Sequence, residues 1–191
     1  KYVNARTADG KVQDIGQVVG RDTPSDQNEV GARTVVTYAV TNGTVAKVTD
    51  SGFTTATNGS SALSSSIPNI FSAELFGVVY FADGASTKQY TASTNTVATW
   101  SASSGSLPID SGNEPRLIET WRGRIVCSGV SSDPHNWYMS AMGDARNWNY
   151  SPTTTSSTQA VAGNNADAGK SQDIINAMCP YSDDVLIFFG D

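Results

Sequence analysis

The chemistry open to this chain is limited first by its single histidine, His135. Acid–base relays, Ser-His-Asp triads and many metal centres draw on imidazole. His135 follows Asp133-Pro134 and reads as a turn-proximal polar residue rather than a catalytic base. Carboxylates are more numerous. Asp83, Glu119 and Asp144 stand far apart in sequence, and a carboxylate pair meeting at the axis of a fold is what glycoside hydrolysis needs. Nothing in the spacing brings these three together. Cys127 and Cys179 fall in separate apolar segments, and two buried free thiols acting as small apolar residues are favoured over a disulfide. No glycine-rich phosphate loop, Cys-x-x-Cys pair or zinc spacing occurs in the sequence. The sequence therefore assigns no catalytic, cofactor-binding or metal-ligating residue, implies no cofactor, and reads as a protein that is not an enzyme.

Two further groups of residues carry a weaker signal. Asp50-Ser51-Gly52-Phe53-Thr54 resembles part of the aspartate-box turn of sialidases, Ser/Thr-x-Asp-x-Gly-x-Thr-Trp. Val48 stands where that turn has a hydroxyl and Thr55 where it has tryptophan, so the segment reads as a hairpin. Trp100, Trp121, Trp137 and Trp148 would serve as a sugar-stacking platform if they shared a face. Three of the four fall at strand positions, where packing between sheets accounts for them as well.

The elements that would have to position any site repeat. Phe76 to Gly84 aligns with Trp121 to Gly129 about 46 residues later and with Asp183 to Asp191 about 61 residues beyond that. Thr34 to Val40 precedes by about 44. A period in the forties, with each unit rich in short strands, is the mark of a β-propeller blade. The unit from Pro68 reads as strands at Ile70 to Leu75, Val78 to Ala82, Thr87 to Ser93 and Val97 to Trp100. The unit from Pro115 reads as strands at Arg116 to Trp121, Arg124 to Ser128, His135 to Ser140 and Asn147 to Tyr150. An earlier unit gives Val35 to Val40, an Asn42-Gly43 turn, Thr44 to Thr49 and Phe53 to Ala56. Asn-Gly between strand residues is a strong hairpin signal because both positions accept positive φ. The last unit starts at Ile174 to Met178 and continues with Val185 to Phe189.

The fold class is accordingly all-β, with β-propeller-like blades of four-stranded antiparallel sheets that form part of a larger propeller protein. The competing reading is an ordinary β-sandwich, which shares the strand spacing but not the recurring order of strand types. Residues 1–33 form a polar N-terminal segment, readable as a strand pair. Blades cover 34–60, 68–102, 115–151 and an incomplete 171–191, with a polar insertion at 151–170 expected as an exposed excursion. Val78 to Phe81, Ile125 to Cys127 and Val185 to Phe189 are expected to be buried central strands. The incomplete first and last units read as those of a piece, or the ordered part, of a longer protein.

At 191 residues the chain is long enough to bury a sizeable core. With 16% charged residues and a net charge of -6, it is a poor candidate for a general DNA coat. That acidity is compatible with a pore through which DNA slides. No apolar run is long enough for a membrane-spanning helix, and no signal-peptide or lipidation motif occurs.

One stretch has a family likeness. It runs Trp121-Arg122-Gly123-Arg124-Ile125-Val126-Cys127-Ser128-Gly129, then Asp133-Pro134-His135-Asn136-Trp137-Tyr138-Met139-Ser140, then Gly143-Asp144-Ala145-Arg146-Asn147-Trp148. After a polar insert come Ile174-Ile175-Asn176 and Asp184-Val185-Leu186-Ile187-Phe188-Phe189-Gly190. This resembles the propeller of tail nozzle and tail hub proteins of short-tailed bacteriophages, of the tail tubular protein B type. The likeness covers Arg116 to Asp191 well and Thr34 to Trp100 loosely. It implies a structural virion protein of the phage tail, a hexameric ring that continues the DNA channel, and contacts with the tail adaptor and tail fibre proteins. Genomic DNA would pass through without sequence-specific binding, and no catalytic residue is carried over. The rival expectation is a glycan- or receptor-binding propeller, and behind it a propeller glycosidase.

Overall fold

The computed structural model describes residues 12–21, 33–109, 114–164 and 174–190. Among them there is no helix. The first sheet runs β1 (Val12–Arg21), β2 (Arg33–Thr41), β3 (Thr44–Thr49), β4 (Gly52–Thr55), each strand antiparallel to its neighbour in chain order. The second repeats this with β5 (Phe71–Leu75), β6 (Val78–Ala82), β7 (Thr87–Thr91) and β8 (Thr96–Thr99). After the short β9 (Ser104–Gly105), a third sheet is built from β10 (Leu117–Trp121), β11 (Arg124–Val130), β12 (Asp133–Met139) and β14 (Val161–Asn164). Between its last two strands lies β13 (Asn147–Trp148), which pairs in parallel with β9. A hairpin of β15 (Ala177–Ser182) and β16 (Val185–Phe189) follows.

Local sequence explains the register. Asn42-Gly43, Phe76-Gly77 and Arg122-Gly123 all have both residues at positive φ. Such turns twist in the sense of the flanking strands, which fixes the pairing on either side. At Gly43 the backbone leaves no alternative, since a Cβ there would lie 2.2 Å from the Leu63 carbonyl oxygen.

The sheets are stacked. Along β6 the side chains alternate, and both sets are covered. Val79 and Phe81 face the first sheet, where they join Val18, Val36, Tyr38, Val40 and Val45 together with Tyr90 and Val97. The Tyr38 ring lies 5.9 Å from Phe81, edge-on, and 5.9 Å from Tyr90. Tyr80 and Ala82 face the third sheet, joining Leu75, Trp100, Ile118, Ile125, Cys127 and Trp148. Trp100 sits between Tyr80 at 4.8 Å and Trp148 at 5.7 Å. Its indole N–H and that of Trp148 both donate to the Ala145 carbonyl. Trp137 of the third sheet stacks at 5.8 Å on Phe188 of the terminal hairpin. The first strands of successive sheets are neighbours: β1 touches β5, β5 touches β10, and β10 touches β15.

Several expectations change. The fourth strand of the third sheet is not Asn147 to Tyr150 but β14, which comes from within the polar insertion. Asn147-Trp148 instead pairs with Ser104-Gly105, because Trp148 is fully buried between sheets two and three. The insertion is thus an exposed excursion only over residues 151–158; residue 160 is buried, and 161–164 complete a sheet. Residues 165–170 lie outside the described set. The last unit's first strand is Ala177–Ser182, later than Ile174 to Met178. The first sheet starts at Val12, since β1 pairs along its whole length with β2. Val185–Phe189 forms the expected strand but is not buried: Val185 and Phe189 are 43% and 50% exposed. Burial of an apolar strand requires a neighbour on each face; Phe188 stacks on Trp137 on one face of β16, whereas the face that carries Val185 and Phe189 is open among the described residues. Ile125, Val126 and Cys127, by contrast, are completely buried, as are Val79 and Phe81.

Candidate functional site

The carboxylates singled out by sequence do not converge. Asp83 ends β6 at the end of the sheets where β10 begins, as the hydrogen bond from Gly84 N to Pro115 O shows (3.1 Å). Asp144 lies at the opposite end, beside the 122–123 turn that receives Gly143 N (2.7 Å). Glu119 stands between them on β10. Asp83 is 1% exposed and fully engaged: it accepts from Ser64 N (2.8 Å), Ala85 N (2.9 Å), Ser86 N (2.7 Å) and Ser86 Oγ (3.0 Å). It is a clamp that ties the 63–67 loop to the β6–β7 turn. The Glu119 carboxyl is raised by burial, offset in part by the backbone N–H of Thr120. Asp144 is exposed and accepts from Arg146 N (2.8 Å).

The other buried polar side chains are spent in the same way. Gln13 links β1 to the next loop, donating to Ser64 O and Ile67 O and accepting from Gly43 N. Arg124, 7% exposed, donates to Ser140 O (2.7 Å), Gln159 O (2.6 Å) and Ser157 O (2.9 Å). Burial lowers its pKa, and the neighbouring charge of Arg122 adds to this. Carbonyl dipoles, not a carboxylate, hold the guanidinium, and through it the start of β14 is tied to β11. Ser128 donates to Asn136 O, and the Ser140 hydroxyl bridges Ile125 N and Ala141 O.

His135 lies in β12, partly buried. Its neighbours Asn136 and Tyr138 both donate to Asp133 within the same strand. Cys127 and Cys179 are both free; Cys127 is buried, whereas Cys179 is exposed on the hairpin, contrary to expectation. Burial pushes the Cys127 thiol well above its usual range, so it is an inert packing group. Among the described residues no group of three His, Cys, Asp or Glu side chains is placed to hold a metal ion. The Asp50 segment is the β3–β4 hairpin, as read from sequence. Trp100, Trp148 and Trp137 pack between sheets.

What the described surface does offer is apolar contact area. Sequence reasoning missed it, because hydrophobicity alone does not tell a covered face from an open one. On the outer face of the first sheet, Val12, Ile15, Val19 and Val35 are 45–61% exposed, and Val19 is directly paired with Val35. At the turn end of the sheets, Phe76 is 76% exposed with φ of 53°, a conformation costly for a bulky residue. Met142, 43% exposed, precedes Gly143, where a Cβ would lie 4.0 Å from the Phe76 ring, and Arg122 covers the Trp121 ring at 5.6 Å while pairing with Asp184 at 3.6 Å. Tyr181, also 76% exposed, belongs to the terminal hairpin. No described helix is long and apolar enough to cross a membrane. Comparison with family models, curated proteins and solved structures finds no match.

Proposed function

We propose that the chain is a structural component of a phage tail, a nozzle protein whose sheets are successive blades of a propeller and whose copies assemble into a ring around the DNA channel. The observation that carries this reading is the serial stacking of four-stranded, up-and-down sheets through their first strands, over the region whose motifs resemble the tail nozzle family. Propeller blades have this order and this adjacency. The role is mechanical: a rigid scaffold guides DNA, and exposed apolar faces dock to neighbouring copies, to the adaptor and to fibres. Its buried polar side chains stabilise loops, which fits a scaffold without catalytic duty. The acidic balance, 18 Asp and Glu against 12 Lys and Arg, keeps DNA from adhering. Electron microscopy of the full-length protein with its tail partners tests the proposal. A six-fold ring with an axial channel is expected, and a free monomer under assembly conditions would refute it.

The exposed rings of Phe76 and Tyr181 favour a second reading, a glycan- or receptor-binding propeller. Saturable binding of an oligosaccharide, lost on Tyr181→Ala and accompanied by no ring formation, would select it.

A further inference from the structure

At the end of the sheets that carries the Asp83 loop, the starts of β5 and β10 and the segment leading into β15 enclose an open cavity of about 400 Å³. That volume is in the range of small-ligand sites. Its walls are mostly apolar, with Ser131 and Asn176 as neutral polar members. Leu117 and Ile175 are 8% and 2% exposed, Pro134 contributes from β12, and Phe71 and Ile174 stand half-exposed at the rim. One charged group lines it, Arg116. Among the described residues Arg116 has no carboxylate partner. Glu114, two residues away, does not line the cavity.

The position of Arg116 is set by backbone. Its N–H donates to Ser128 O at 3.2 Å. Its stem crosses Gly84, where a Cβ would lie 2.8 Å from Arg116 Cγ and 2.9 Å from Nε. Gly129, at φ of 73°, lets the bulged β11 come close to Arg116 and Leu117. Ile175 is fastened to the opposite wall by its N–H bond to Pro134 O (3.0 Å). The site thus joins a mostly apolar wall to one exposed guanidinium whose stem packs on Gly84 and which has no carboxylate partner among the described residues.

We propose that this cavity binds a small amphipathic carboxylate, its aliphatic body against Leu117, Pro134 and Ile175 and its carboxylate on the Arg116 guanidinium. A guanidinium fork matches a carboxylate in plane and charge. A dianionic phosphate would leave a charge unmatched. This site is independent of the ring and of the tail assignment, and it stands if either fails.

Isothermal titration with octanoate is the test, with hexanoate, octan-1-ol and octyl phosphate as comparisons. Octanoate is expected to saturate one site with Kd below about 1 mM. Two fewer methylenes should weaken binding about tenfold, and octan-1-ol and octyl phosphate should each bind more weakly than octanoate. Arg116→Gln, at an exposed position, should leave the melting temperature unchanged and weaken octanoate at least about tenfold. Ile174→Ser should weaken octanoate without altering its preference over octan-1-ol. Absence of saturable octanoate binding at about 10 mM, or equal affinity of wild type and Arg116→Gln, would overturn the proposal. So would tighter binding of octyl phosphate, which would make the site one for phosphate esters.

Discussion

Arg124 and Asp83 show how single residues hold this fold, and neither role is visible in composition. A buried arginine ordinarily signals an ion pair. Here three carbonyl oxygens take its donors, two of them from the segment leading into β14. Arg124→Met should leave those carbonyls unsatisfied and cost about 2–4 kcal/mol, measured by urea denaturation. Retention of wild-type stability would mean that the contacts are incidental. The tyrosines give a second residue-scale expectation. Burial raises Tyr80 to about 12, with the Asp144 charge adding, and Tyr138 to about 12, with its Asp133 hydrogen bond adding. Tyr38 and Tyr150 move in the same direction, again chiefly through burial. A raised folded-state pKa means that the unfolded chain loses its proton first. Stability from these groups is therefore complete below about pH 10 and falls as pH rises from 10 towards 12. Melting temperature followed alongside tyrosinate absorbance checks this. Tyrosines that titrate near 10 with no loss of structure would contradict it.

At the scale of elements, the strands legible in the sequence were those whose pattern reports two covered faces or a tight turn. Val78–Ala82 is continuous in apolar residues and is flanked by Phe-Gly and Asp-Gly, so both its type and its bounds could be read. Val79→Asp would bury a charge without a partner between sheets one and two and should destabilise by several kcal/mol, on the order of 3–5. Finding it tolerated would remove Val79 from the core. β14 escaped notice for a physical reason. Val161–Asn164 is short and small, since it borders only β12 and lies under the Trp137 ring, where bulk cannot fit: a Cβ on Gly163 would meet Trp137 Cζ2 at 2.2 Å. An outer strand needs backbone partners more than side chains, and its sequence therefore resembles a loop. Two replacements separate strand from excursion. Exchanging residues 153–155 for Gly and Ser should leave the melting temperature within a few degrees. Exchanging 159–164 should lower it by about 10 °C or more, from the loss of one ladder and of the Arg124 clamp. Equal effects would mean that β14 contributes no more than the exposed turn before it.

At the scale of the whole molecule, the stack of sheets buries its internal faces and leaves two outer ones apolar. The second sheet is covered on both sides, whereas the first presents Ile15, Val19 and Val35 outward and the terminal hairpin presents Val185 and Phe189. The same alternation that fills the inner interfaces continues onto these faces, which is why sequence alone read Val185–Phe189 as core. In the proposed assembly these exposed apolar faces are the contacts between proteins. Covering each of these side chains removes it from water for about 1 kcal/mol, given that roughly half is already buried. In the proposed ring, then, Ile15→Lys with Val19→Lys should weaken self-association. The folded unit should not suffer, because neither side chain belongs to the internal core. Sedimentation velocity would show a shift towards smaller species, with the melting temperature of the dissociated protein unchanged. Phe189→Lys should act in the same direction through the other face. If both variants sediment as wild type, these faces are not the assembly surfaces, and a ring would have to be held through the turn-end cluster around Phe76 and Met142.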